Sequence, residues 1–224
     1  MEKHTLRRTV LVRFGGGVVV LGILFFLPAG TIRWWEAWLF LATLFVPMAF
    51  VARYLFRNDP ALLERRMEHG EERGQQKAIV KATSALWLLT FLIPGLDHRF
   101  GWSSVPAWLV VLADALVLVG YLIFFLTVRE NSFAARTIRV EEGQHVISTG
   151  PYAVVRHPMY VGLSLMMLFA PLALGSWWAV IPALTTPPSL MLRIVDEEKA
   201  MMAGLPGYAE YAHTVRWRLF PGVW

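Results

Sequence analysis

The sequence predicts an all-α, polytopic integral membrane protein of about six transmembrane helices, with a short C-terminal helical hairpin. Three observations predict it. Of the 224 residues, 56% are hydrophobic and only 17% are charged, fewer charges than a soluble domain of this length carries. The apolar residues come in blocks of roughly 17 to 24, the length that crosses about 30 Å of hydrocarbon. Basic residues flank those blocks asymmetrically.

The blocks fall at 10–29, 35–56, 78–95, 105–128, 158–175 and 177–192. In the first, Lys3, Arg7 and Arg8 precede an apolar run that continues to Pro28 with no clear small-x-small cleavage site. It reads as a retained span rather than a signal peptide. The last two blocks are short and joined by "GSWW", the pattern of a tight hairpin.

One set of flanks holds Lys3, Arg7, Arg8, Arg57, Arg65, Arg66, Arg73, Lys77, Arg129, Arg136, Arg139, Arg156, Lys199, Arg216 and Arg218. The opposite set holds Arg33 and Arg99. The inside rule therefore places both termini and the long loops in the cytoplasm. Depending on the cell, the membrane is an inner membrane or the endoplasmic reticulum. Trp34, Trp35, Trp38, Trp102, Trp108, Trp177 and Trp178 sit near the outer span ends and fit an interfacial belt.

The net charge of +5 follows from the same flanks, where anionic headgroups attract basic side chains. It does not point to nucleic acid. With no cysteine there is no disulfide framework, thiolate metal site or cysteine nucleophile, and no metal ligand set is expected.

Two units are expected: N-terminal transmembrane helices over 1–128, and a polar-bearing core over 129–224. Within the first, the loop 57–77 mixes both charge signs and reads as a solvated amphipathic helix. Asp114 lies well inside the fourth span. Buried acids in membranes are costly and often functional, but a structural hydrogen bond to a neighbouring helix accounts for Asp114 equally well.

The second unit opens with "RENSFAARTIRVEEGQHVISTGPYAVVRHPMYVG". Its middle has no helical period and a turn at Gly150-Pro151, which predicts an ordered loop lining a cavity. After the hairpin, "LRIVDEEKAMM" puts Arg193 and Glu197 four residues apart on one helix face. Asp196, Glu197 and Glu198 follow directly on an apolar span. A helix leaving the membrane with solvated acids and a snorkelling arginine explains that alone. A hairpin, however, returns the chain to the face it left, bringing Tyr152, Arg156, His157, Pro158 and Tyr160 beside Arg193, Glu197 and Glu198, with Tyr208, Tyr211 and Pro221 next.

The ordered pattern G-x-Y-x-x-x-R-H-P-x-Y-x-G, hairpin, R-x-x-x-E-E, G-Y-x-x-Y and R-L-F-P resembles the isoprenylcysteine carboxyl methyltransferase family. Membrane phospholipid methyltransferases share part of it. The resemblance covers 129–224 and implies a helical membrane enzyme with a cytoplasmic cofactor pocket for S-adenosylmethionine, whose product is S-adenosylhomocysteine. It implies a lipid-side opening for a prenylated or lipid-like methyl acceptor.

Carried over by position, the cofactor residues are Gln144, His145, Val146, Ile147, Tyr152, His157, Pro158, Met159, Tyr160 and Glu197. Arg193 matches the substrate arginine, so Arg193 and Glu197 are the expected catalytic pair. Two positions depart from the pattern: "GLPGY" replaces F-G-x-E-Y before Tyr208, and Gln144 stands where histidine is common.

The residues suit methyl transfer. An activated methyl needs binding, alignment and desolvation more than acid–base chemistry. A carboxylate acceptor is already ionised and needs only an orienting cation, which Arg193 supplies. Competing readings are methylation of a phospholipid amine, or of a small lipophilic thiol, phenol or acid. An amine acceptor requires a base, for which His157, Glu197 and Glu198 are the candidates. A membrane scaffold or transporter is the non-enzyme reading. A transporter calls for polar residues and broken helices at mid-membrane, whereas the polarity here gathers at one end.

Overall fold

The computed structural model describes residues 3–67, 74–134 and 143–224, and every regular element among them is helical. Arg73, Arg136 and Arg139 of the basic flanks lie outside the described residues, as does the stretch 68–73 of the expected loop helix.

The order is α1 (Lys3–Ala29), α2 (Trp35–Asn58), α3 (Pro60–Met67), α4 (Gly74–Phe100) and α5 (Ala107–Glu130). A 3-10 turn at Gly150–Ala153 precedes α6 (Pro158–Ala173), α7 (Val180–Ala183), α8 (Thr186–Gly204) and α9 (Tyr208–Thr214). Among the described residues α1, α2 and α5 are long and apolar enough to cross a membrane, and α6 is a shorter apolar helix. Leu11, Val12, Val19, Val20, Ile23 and Leu27 of α1 point away from the protein. Only hydrocarbon can cover so many apolar side chains on one helix, so this is an integral membrane protein.

Contacts sort the connections into two ends. At one end, Asp97 accepts hydrogen bonds from the Ser103 amide at 2.7 Å, the Ser103 hydroxyl at 2.6 Å and the Ser176 hydroxyl. That carboxylate ties the close of α4 to the next connection and to the turn after α6. Trp34 stacks on His98 there, with ring centroids 4.9 Å apart. At the other end, Leu62 and Leu63 of α3 pack with Leu6, Val51, Leu55 and Val128. Asp59 starts that short helix by accepting from the Leu62 amide at 2.9 Å. The loop helix expected as solvated is thus half-buried along α3.

The pair α5 and α6 makes the most extensive helix contact in the protein. Glycine allows it. A Cβ on Gly120 would stand 2.7 Å from the Gly162 carbonyl oxygen, and one on Gly162 would stand 2.6 Å from that of Gly120. With no side chain at the crossing the two backbones touch, which fixes the start of α6 against the end of α5.

The expected helix arm at 177–192 takes a different form. Helix α7 is one turn, a bend follows at Leu184 and Thr185, and α8 runs on to Gly204. The reason is local. Pro182, Pro187 and Pro188 lack amide donors, so the Thr185 amide bonds three residues back, to the Pro182 carbonyl, at 3.1 Å. One result matters for function: α8 carries the three acids on the same helix that begins at this proline cluster.

Candidate functional site

The site grows from residues 156 to 160. Pro158 occupies the first turn of α6, where its missing amide costs nothing. The amides of Arg156 and His157, which precede the helix, donate to the carbonyls of Trp217 and Arg218 at 2.9 and 3.0 Å. The segment after α9 therefore straps the mouth of α6. It is itself folded back, because the Arg218 and Leu219 amides both donate to the Trp224 carbonyl at 3.0 Å. The Arg218 guanidinium also lies over the Trp224 ring, 5.1 Å from its centroid.

Glu198 is the hub of this strap. Its Oε1 lies 3.0 Å from Arg156 Nε and 3.3 Å from His157 Nε2, and its Oε2 accepts from Arg218 Nε at 2.8 Å. Only 5% of Glu198 is exposed. Burial opposes its charge, but the hydrogen bonds from His157 and Arg218 and the charges of His157 and Arg156 outweigh it, holding the carboxyl below its usual value. One carboxylate among three cationic or protonatable partners repays its desolvation by geometry.

Adjacent on α8, Glu197 turns to a different neighbour. The Tyr160 hydroxyl donates to Glu197 Oε2 at 2.8 Å, and Arg193 Nε donates to the Tyr160 oxygen at 2.9 Å. Arg193, Tyr160 and Glu197 thus form a chain across α6 and α8.

Beside this chain opens a cleft of about 730 Å³, part of it open to solvent. Gln144, His145, Val146, Ile147, Tyr152, His157, Pro158, Met159, Tyr160 and Glu197, the whole cofactor set expected from the sequence, line it together. Arg193 is outside the described lining and meets the cleft through Tyr160. Asp114, buried in α5, is also outside it.

Several lining residues were not anticipated as cofactor contacts: Asn131, Phe133, Ala134, Met201, Leu205, and the tyrosines Tyr208 and Tyr211. Asn131 was legible in principle, since its side chain accepts from the Phe133 amide at 2.8 Å, a local asparagine turn. Its amide nitrogen then donates to the Tyr152 hydroxyl at 2.9 Å. Tyr211 donates to the Tyr152 carbonyl at 2.8 Å. The departure "GLPGY" has a structural use: Gly207 adopts φ +80 immediately before α9, a conformation that glycine takes without strain.

Burial pushes the Tyr152 phenol up to about 12, with the Asn131 bond opposing and the Glu197 charge adding. Burial likewise raises Tyr208, with the Glu198 charge, and Tyr211, with neighbouring Tyr152. These phenols stay protonated at neutral pH and offer neutral ring faces rather than bases.

Residues 108–207 match the phospholipid methyltransferase family. The chain is a membrane methyltransferase. The matched stretch runs from α5 through α8 and holds the cleft lining up to Leu205. The cleft also draws on Tyr208 and Tyr211, just beyond the match. Among solved structures, the chain is similar to that of the eukaryotic intramembrane Ras methyltransferase, isoprenylcysteine carboxyl methyltransferase, at 15% identity. That alignment covers 96% of this chain and 85% of the other, with a TM-score of 0.49. No curated protein matches the sequence.

Proposed function

We propose that the cleft binds S-adenosylmethionine and that this methyltransferase methylates a lipid-like acceptor, with a carboxylate of the isoprenylcysteine type as the first reading. On this reading the chain crosses the membrane about six times, both termini are cytoplasmic, and the cleft opens to the cytoplasm. The observation that carries it is the convergence of 144–147, 152, 157–160 and 197 on one cavity.

The donor set fits that ligand. Glu197, already accepting one hydroxyl, has a further oxygen for an amino or ribose group. Tyr152, Tyr208 and Tyr211 line the cleft and would offer neutral rings to a sulfonium bound there. When bound, S-adenosylmethionine supplies an activated methyl. The chain's own residues then bind, align and exclude water. Arg193, anchored on Tyr160, supplies the planar cation that would orient an acidic acceptor.

A second reading is methylation of a phospholipid amine, and two observations favour it. The matched family is that of phospholipid methyltransferases. His157 lines the cleft with Nε2 engaged by Glu198, an arrangement able to take a proton from an ammonium.

Methyl-labelled cofactor with a panel of prenylated cysteine acids and aminophospholipids separates the readings. Methyl esters release volatile methanol in base, whereas N-methyl products do not. Label retained on an aminophospholipid after base treatment would overturn the carboxylate reading. Failure of the detergent-solubilised protein to bind S-adenosylhomocysteine by calorimetry would overturn both.

A further inference from the structure

The family match begins at residue 108, yet one wall of the cleft is held from outside it. Helix α3 belongs to the N-terminal half and runs over the end where the cleft opens. Its Arg66 donates through Nη1 to the Ala134 carbonyl at 2.7 Å and contacts Met159 Sδ at 3.5 Å. The guanidinium also lies over the Phe124 ring, 4.8 Å from the centroid. Arg65, next along the helix, donates to the Ser132 carbonyl.

The four residues these arginines hold, 131–134, have no helical or strand bonding of their own beyond a single turn. They nevertheless supply Asn131, Phe133 and Ala134 to the cleft. Asn131 sets the Tyr152 hydroxyl, and Phe133 meets the His145 ring edge-on at 5.3 Å. A loop that lines a site on so few internal bonds needs an external support. Arg66 touches both this loop and the Met159 side of the cleft.

Helix α3 is itself fixed from two directions. Leu62 and Leu63 are buried in the α1–α2–α5 cluster, and Arg13 of α1 donates to the Met67 carbonyl. The support is therefore rigid, and its origin lies in the N-terminal helices.

We propose that Arg66 is a positioning residue for the cofactor cleft, by which the N-terminal helices set the geometry of a site whose signature lies entirely downstream. The proposal rests on the cofactor reading for its consequence, but the clamp itself has an independent readout. In Arg66→Met the apolar stem keeps the packing on Phe124 while the donor is lost. In Arg66→Lys a donor and a charge remain, without the planar fork.

The experiment is hydrogen–deuterium exchange on the detergent-solubilised full chain, beside calorimetric binding of S-adenosylhomocysteine. Arg66→Met should speed exchange at 131–134 and 144–147 while mid-α5 stays protected, and should weaken binding by about tenfold. Arg66→Lys should fall between Arg66→Met and the parent in both measurements.

Unchanged exchange at 131–134 in Arg66→Met overturns the clamp, whatever the binding result. Faster exchange with unchanged affinity overturns the positioning role. Loss of protection throughout α5 also overturns it, because Arg66 would then be holding the fold rather than the loop. If the parent protein does not bind S-adenosylhomocysteine, the cofactor reading fails by itself, and the exchange comparison still decides the clamp.

Discussion

Tyr160 donates its hydroxyl to Glu197 at 2.8 Å while receiving Arg193 at 2.9 Å, so a residue at the head of α6 stands between the two polar groups of α8. Sharing a helix face would let Arg193 and Glu197 pair directly. Tyr160 bonds to both, so one hydroxyl links the two residues.

Removing the relay should separate the two duties. Tyr160→Phe keeps the ring and should weaken S-adenosylhomocysteine by about tenfold, the worth of one hydrogen bond to a charged group. Arg193→Ala should keep most cofactor affinity and lose turnover, and Arg193→Lys should recover little of it. Glu197→Gln should weaken the cofactor directly. Calorimetric affinities set beside methyl-transfer rates decide it: equal loss of cofactor affinity in Arg193→Ala and Glu197→Gln would reduce Arg193 to a support for Glu197.

Glu198 should behave as a structural hub. Glu198→Gln leaves Arg156 buried beside a neutral partner and should cost roughly 3 kcal/mol. The measurement is tryptophan-detected thermal unfolding in detergent. A melting temperature unchanged by the substitution would show that the strap is held by its backbone bonds alone.

The same carboxylate gives the site a pH signature. Its folded value is depressed below 4.5, so its contribution to stability is complete above 4.5 and is lost as pH falls through the lower folded value. The melting temperature of the parent protein should therefore drop on acidification below 4.5, and Glu198→Gln should flatten that part of the profile. Parallel pH profiles for both proteins would remove Glu198 as the source.

The glycine crossing should be intolerant of even one carbon. Gly162→Ala places a Cβ 2.6 Å from the Gly120 carbonyl oxygen, and backbone must move to admit it. About 2 kcal/mol of destabilisation is expected from overpacking. Because His157 caps α6 and Tyr160 rides on its first turn, cofactor affinity should fall as well. Unfolding curves and binding isotherms for Gly162→Ala would expose an error if both matched the parent.

Orientation is open to a labelling test, since the parent chain has no cysteine. A cysteine introduced at position 145, in the cleft wall, should react with an impermeant reagent only from the cytoplasmic side. Reaction from the outer side alone would reverse the assigned topology.

Much of this protein was decided by sequence alone. Apolar blocks long enough to need a membrane and their basic flanks gave an all-helical membrane protein, and the resemblance carried by the ordered pattern over 129–224 implied methyl transfer and ten of the residues that line the cleft. Those signals are local: hydropathy and proline placement act within a helix turn or two. Tertiary structure decided the partners. That Glu197 faces Tyr160 while Glu198 faces Arg156, His157 and Arg218 depends on the rotation of α8, which the bend at Leu184–Thr185 and its contact with α6 determine. That Arg66, far upstream, holds the 131–134 turn depends on α3 packing across α1, α2 and α5. Adjacent residues on a helix point about 100° apart, so one residue's difference in register would exchange their partners, and no local pattern records that register.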